Sequence, residues 1–179
     1  MPVSIDKVPP IIPPSPWVVR HCQRIAAGGT VLDLACGSGR HARLLAGHGY
    51  AVYAVDRDAA AMAGLQGQER IVAVQQDLEG AEWPLAGRSF AGIVVTNYLW
   101  RSRWPDLLAL LAPGGVLIYE TFMLGNEAYG KPSNPEFLLR PGELREITVA
   151  AGLREIAFEE GYADSPKPAM RQAICAIRD

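Results

Sequence analysis

A chain of 179 residues suits one domain with a sizeable core. Hydrophobic residues at 49% and charged residues at 20% are ordinary for a globular protein, and a net charge of −2 without any Lys/Arg block argues against a large nucleic-acid surface. No apolar run has the length of a membrane span, the N-terminus lacks the form of a signal peptide, and Cys22, Cys36 and Cys175 are too far apart for a zinc motif or a disulfide framework, so a cytoplasmic location is expected.

Residues 1 to 16 hold Pro2, Pro9, Pro10, Pro13, Pro14 and Pro16. Proline removes donors and fixes φ, so this arm is expected to be extended, either a terminal tail or a lid over a ligand crevice, with the folded domain at residues 17–179. Ser15-Pro16-Trp17 reads as a helix start, with Ser15 as cap and Pro16 at the first helical position. That helix ends at Gly28-Gly29. Val31 to Leu34 is a short buried strand, Ala35 to Gly39 a small-residue turn, and a helix pattern follows from Arg40. Gly37 and Gly39 let the turn bend and a ligand approach the backbone. His41 is expected as an exposed first-turn histidine, with a base near the turn as the alternative.

The turn admits two cofactors. Gly37 to Ala42 fits G-x-G-x-x-A, the dinucleotide pattern. Asp33 argues the other way, because a carboxylate at the strand end repels a pyrophosphate and suits a ligand with a cationic amino group. Residues 50–56 form a second strand ending in Asp56, which lies 17 positions beyond Gly39, at the spacing of a ribose-binding acid. Both cofactor readings want it, with Arg57 beside it. A helix is expected from Arg57-Asp58 to Gln66, and a third strand from Arg70 to Gln75, followed by Asp77-Leu78.

After a loop from Glu79 to Arg88, residues 89–97 form a fourth strand, and Asp106 to Leu111 a helix. Ala112 to Gly115 should end that helix and start a fifth strand, Val116 to Phe122. A long loop runs from Met123 to Leu139; loops of that length are functional or disordered more often than not. Arg140-Pro141 then opens the last long helix, which ends at Gly152. Leu153 to Gly161 and Arg171 to Arg178 are two further strands joined without a helix, so they must be antiparallel.

D-L-A-C-G-S-G at residues 33–39 resembles the first motif of the class I S-adenosylmethionine-dependent methyltransferases, with Ala35 where glycine is usual. L-x-P-G-G-x-L-x-x-E, from Leu111 to Glu120, is a further resemblance; in the fourth strand Ala91 stands where aspartate is common in the family. The signals occur in family order over residues 17 to 178, and the chain is similar to small bacterial methyltransferases of the ubiquinone-biosynthesis and tellurite-resistance type. The resemblance implies an α/β fold: a single Rossmann-like doubly wound sheet of seven strands, the last antiparallel, with helices on both faces. It implies S-adenosyl-L-methionine as cofactor. Asp33 and the backbone of Ala35 and Asn97 would face the methionine portion, Gly37 and Gly39 would allow close approach, Asp56 would hold the ribose, and Asp77 with Leu78 would read the adenine.

The implied activity is methyl transfer to a small-molecule acceptor. RNA or protein acceptors, a nicotinamide-dependent enzyme and a non-catalytic nucleotide binder stay open as alternatives. No Ser-His-Asp, Cys-His or metal-ligand arrangement is assignable, and nothing sets the oligomeric state. Candidate substrate residues are Trp17, Tyr98, Trp100, Tyr129 and Arg140. The last long helix should start on the ligand side of the sheet, where N–H groups near Gly142 and Glu143, Arg140 and Lys131 would favour an anionic acceptor.

Overall fold

The computed structural model describes residues 12–179. Twelve elements follow in chain order: α1 (Pro16–His21), β1 (Thr30–Leu34), α2 (Arg40–Gly47), β2 (Ala51–Asp56), α3 (Ala59–Met62), β3 (Ile71–Gln75), β4 (Phe90–Thr96), α4 (Trp104–Ala109), β5 (Leu111–Phe122), α5 (Glu143–Ala150), β6 (Arg154–Ala163) and β7 (Ala169–Ile177). The strands form one sheet in the order β3-β2-β1-β4-β5-β7-β6. Neighbours from β3 to β5 pair in parallel, and β7 runs antiparallel to both β5 and β6. This is the doubly wound arrangement expected from the sequence, including its antiparallel last strand. The order reverses between β1 and β4, and a doubly wound sheet binds ligands outside the strand ends at that switch point.

Side chains alternate across the sheet and build a core on each face. Leu32, Leu34, Ile93, Val95 and Leu117 face α4 and α5, with Leu107, Leu108 and Leu144. Val31, Val52, Val94, Val116 and Ile118 face α1, α2 and α3, with Val18, Leu45 and Met62. Ser15 caps α1 by accepting from the Trp17 N–H at 3.1 Å, as its position predicts, and Asp58 caps α3 by accepting from Ala61 N–H at 3.0 Å.

Several boundaries differ from expectation. The helix expected at residues 57–66 is a single α-turn, Ala59–Met62, followed by a 3-10 turn at Ala63–Leu65. The helix expected from Asp106 starts earlier, at Trp104, and Ala112 to Gly115 belong to β5, which begins at Leu111. Phe90 pairs with Leu111 and Gly92 with Val116, so these residues are spent on a bulge instead of a helix end. The loop at residues 123–139 is folded, with 3-10 turns at Asn126–Ala128 and Pro135–Phe137 and with Leu138 and Leu139 buried. Arg101 holds it, donating to the carbonyls of Glu136 at 2.6 Å and Leu138 at 2.7 Å. Residues 1–11 of the expected arm lie outside the described residues. No helix among the described residues is long and apolar enough to cross a membrane.

Candidate active site

The switch point carries two non-glycine residues with left-handed backbone, Ala35 after β1 at φ 54 and Asn97 after β4 at φ 55. This conformation costs a residue with a Cβ about 1–2 kcal/mol, and asparagine tolerates it better than alanine. Such strain clusters where a backbone must present itself to a ligand. Ala35 lines two recesses, one on each side of it.

The inner recess has a volume of about 140 Å³ and is lined by Asp56, Arg57, Gln76, Asp77, Leu78 and Tyr98 among others. Asp56 sits half-buried at the end of β2; its carboxylate accepts from Gly37 N–H at 2.8 Å and Asp58 N–H at 2.9 Å. Each carboxylate oxygen still has acceptor capacity. Asp77 accepts from Glu79 N–H at 2.9 Å. The Gln76 carbonyl oxygen and the Tyr98 hydroxyl are buried here without a partner. Burial, with Glu79 and Asp77 nearby, pushes the Tyr98 phenol above its usual range, so it stays a neutral donor. Arg57 is exposed and lies 3.6 Å from Glu79.

The outer crevice measures about 700 Å³, within the range of small-molecule sites. Its walls include Gly37 and Ser38 from the turn, Arg40 at the start of α2, Thr96 and Asn97 at the end of β4, Glu120 and Phe122 on β5, Lys167, Arg171, and residues 12–16. At Gly37, with φ 54, an added Cβ would meet nothing within 4 Å and would project into open space. Gly39 lines neither recess; a Cβ there would collide with Leu65. Its lack of a side chain thus serves packing of α2 on the neighbouring layer, not the close ligand approach expected of it.

Asp33 lies under the turn, 1% exposed, with Oδ2 lacking any partner. Burial pushes its carboxyl up to about 7, against the pull of the Ala42 N–H and the Arg40 charge. An orphaned buried carboxylate beside the crevice fits a group that brings a positive charge, and the unpartnered Gln76 and Tyr98 atoms fit a polar heterocycle in the inner recess. These residues therefore fit a cofactor with a cationic amino acid end and a nucleoside end.

His41 departs from expectation. It is 1% exposed, and Nε2 accepts from the Ser15 backbone N–H at 3.0 Å. Nδ1 must then carry the proton, 3.4 Å from Thr96 Oγ1. Burial, with Arg40 beside it, drives its pKa down to about 3. His41 is a neutral anchor for the arm, with its lone pair already used. Ser15 also donates through its hydroxyl to Glu120, and Arg40 holds the Pro13 carbonyl at 3.0 Å. Residues 12–16 thereby form a strap along the outer crevice, held by His41, Glu120 and Arg40.

The candidate substrate residues disperse. Tyr98 lines the inner recess. Trp17 is buried, its indole N–H on the Ile174 carbonyl at 3.3 Å. Trp100 lies in a separate surface hollow with Arg101 and Phe137, and Tyr129 packs on Tyr162 at 5.4 Å between ring centres. Arg140 points to Glu146 at 3.1 Å and Glu143 at 3.7 Å and lines no part of the crevice, and neither does Lys131. The end of α5 is closed: Gly142 N–H goes to Glu160 at 2.9 Å, Leu144 N–H to Gln172 at 2.8 Å, and Glu143 folds back to the Arg140 N–H at 2.7 Å. Pro141 is not helical, because left-handed Gly142 takes the N-cap position.

Sequence reasoning missed Arg171, Glu120, Arg40 and Lys167. Arg171 had a signal, as the one charged residue in β7, 9% exposed. Its Nη1 donates to Asn97 Oδ1 at 2.8 Å and faces Glu120 at 3.4 Å, and the guanidinium stacks 4.3 Å from the Phe122 ring centre.

A sequence family described as a methyltransferase domain matches residues 31–115, the span from β1 into β5. The fold is similar to that of TehB from Haemophilus influenzae, at 20% identity and a TM-score of 0.75, over 90% of this chain and 61% of that one. The chain thus spans about three fifths of the length of TehB. It is likewise similar to an S-adenosylmethionine-dependent methyltransferase from Methanosarcina mazei (17% identity, TM-score 0.70, 93% of this chain and 99% of that one). A third similar fold is that of the glycopeptide N-methyltransferase MtfA, solved with sinefungin (16% identity, TM-score 0.63, 90% of this chain and 85% of that one). No curated protein sequence matches the chain. The matched residues 31–115 lie on the Rossmann-like sheet described above.

Proposed function

We propose that the protein transfers a methyl group from S-adenosylmethionine to a small, anionic acceptor held in the outer crevice. The observation that carries this reading is the junction of the two recesses at Ala35. One side offers Asp56, Asp77, Leu78 and Tyr98, and the other continues past Asn97 to Glu120 and Arg171 beside the strap of residues 12–16. Asp56 would accept from the ribose hydroxyls, Asp77 and the Leu78 backbone would read the adenine, and Arg57 would stay at the rim. Asp33 would balance the ammonium of the methionine end, with the Ala35 and Asn97 backbones turned toward it. Arg40, at the first position of α2 beside Asp33, complements the cofactor carboxylate.

The cofactor supplies a methyl group on a positively charged sulfur, ready for in-line displacement by a lone pair. The chain's task is then mainly positioning, which is worth about 7–11 kcal/mol in well-oriented reactions. A crevice flanked by a strap suits a small molecule better than a polymer. With Arg40 assigned to the cofactor carboxylate, two cations, Lys167 and Arg171, stand against the one carboxylate of Glu120 in its walls and favour an anion. Asp33 beneath the turn disfavours the pyrophosphate of a dinucleotide. Calorimetry with S-adenosylhomocysteine and NAD tests the reading. Binding of the first and not the second is expected; NAD binding at similar affinity would overturn it.

A further inference from the structure

The outer crevice contains one donor group that its own neighbours leave half used. Arg171 is buried to 9% exposure and its Nη1 is committed to Asn97 and Glu120. Nε is enclosed without a partner, and Nη2 donates to nothing among the described residues. Nε and Nη2 form the side edge of a guanidinium, two parallel donors spaced for the two oxygens of a carboxylate.

This chain shows three times what that edge does when a carboxylate is present. Arg101 grips Glu143 through Nε at 2.7 Å and Nη2 at 3.0 Å. Arg145 grips Glu155 at 2.7 and 2.8 Å, and Arg154 grips Asp179 at 2.9 and 2.8 Å, each with the same two nitrogens. Among the described residues, the same edge of Arg171 meets no carboxylate. The guanidinium is held in place by Asn97, Glu120 and the Phe122 ring, so it pays little ordering entropy on binding. Phe122, Pro14 and Pro166 give the crevice apolar walls, and Lys167 adds a second cation. Burial depresses the pKa of Arg171, Glu120 raises it and Arg40 lowers it, so the site gains from a further negative charge.

On the methyl-transfer reading above, we infer that the acceptor is a small carboxylic acid whose carboxylate sits on the Nε–Nη2 edge of Arg171. Asn97 is tied both to this guanidinium and, through its left-handed backbone, to the switch point where the cofactor binds. The arginine therefore sets the acceptor in register with the methyl donor, and Arg140 has no part in it.

The test uses the full chain saturated with S-adenosylhomocysteine, titrated with benzoate, benzamide and phenyl phosphate by calorimetry or ligand-observed NMR. Benzoate is expected to bind at least about tenfold better than benzamide, because only the carboxylate meets the fork. Arg171→Gln should remove at least about tenfold of the benzoate affinity while benzamide and S-adenosylhomocysteine stay within about threefold. Should that variant fail to fold, Lys167→Met in the exposed turn should still weaken benzoate by about threefold. Equal binding of benzoate and benzamide, no binding of benzoate, or a benzoate preference that survives both substitutions would overturn the inference. Tighter binding of phenyl phosphate than of benzoate would overturn the carboxylate class. Failure of S-adenosylhomocysteine itself to bind would instead strike the methyl-transfer reading, and the two failures are separate.

Discussion

Two helices start on the ligand side of the sheet after a left-handed glycine, α2 behind Gly39 at φ 78 and α5 behind Gly142 at φ 72. They end up with opposite uses. The end of α2 borders the crevice through Gly37, Ser38 and Arg40, with an orphaned carboxylate beneath it. The end of α5 gives its donors to Glu160, Gln172 and the Arg140 carbonyl. A helix N-terminus becomes a binding site only where the protein leaves it unsatisfied; position and dipole are not enough.

Glycine substitutions at the two ends should break this comparison if it is wrong. Gly37→Val puts a branched side chain into open crevice space at φ 54, so the fold should survive at a cost of about 1–2 kcal/mol. Its affinity for S-adenosylhomocysteine should fall at least about 100-fold, read by calorimetry on the folded variant. Gly142→Ala meets nothing within 4 Å and carries φ 72. It should cost about 1 kcal/mol of stability and leave cofactor affinity unchanged. Normal affinity in the Gly37 variant would remove the turn from the cofactor site.

Asp56→Ala comes next. The carboxylate holds the Gly37 N–H and, on the proposed placement, the ribose. Hydrogen bonds to a charged acceptor are worth about 1.5–3 kcal/mol each, so S-adenosylhomocysteine should weaken by roughly 10- to 100-fold. 5′-Methylthioadenosine shares the ribose and should weaken in parallel. A loss confined to one of the two ligands would show that Asp56 acts elsewhere.

Asp33 and His41 make the α2 end sensitive to pH, with opposite signs. Burial pushes Asp33 up to about 7, so between about pH 4 and 7 the folded state keeps a proton that the unfolded chain has lost. Stability from this group falls as pH rises through that window. Burial drives His41 down to about 3, so between about pH 3 and 6.5 the unfolded chain binds a proton that the folded state refuses. Stability from this group rises with pH. The two slopes oppose each other. Asp33→Asn removes the first, and denaturant unfolding of the variant should show a steeper loss toward acid than the parent. In the parent, cofactor binding should tighten as pH rises through 7 and should release a proton, seen as buffer-dependent calorimetric heat. An identical pH profile in parent and variant would contradict the placement of the ammonium over Asp33.

The inner recess was legible in the sequence because its parts are local. Asp56 ends β2 and Asp77 follows β3, and because the two strands run in parallel their C-terminal ends reach the same edge of the sheet. The antiparallel pairing of the last two strands followed from connection length, since they are joined without a helix, and the doubly wound sheet followed from the family resemblance. The outer crevice was not legible, because its contacts join distant positions. Ser15 meets Glu120 across 105 positions and Arg171 meets Asn97 across 74. His41 looked exposed because a helix pattern says nothing of a strap 26 residues upstream that covers it. At α5 the rule that proline takes the first helical turn gave way to a glycine one position later.

The smallest expected effect belongs to Arg140→Ala. The side chain is 62% exposed, and its pairs with Glu146 and Glu143 lie at 3.1 and 3.7 Å in solvent. Exposed pairs of this kind contribute about 0–1 kcal/mol, so a stability change within about 0.5 kcal/mol is expected. What closes the α5 end survives the substitution, because it uses the backbone of residue 140: its N–H on Glu143 at 2.7 Å and its carbonyl under the Gln172 amide at 2.8 Å. Affinities for S-adenosylhomocysteine and for benzoate should therefore match those of the parent in calorimetry. A clear loss of benzoate binding would mean that the guanidinium swings from Glu146 to the acceptor, and it would return α5 to the same role as α2.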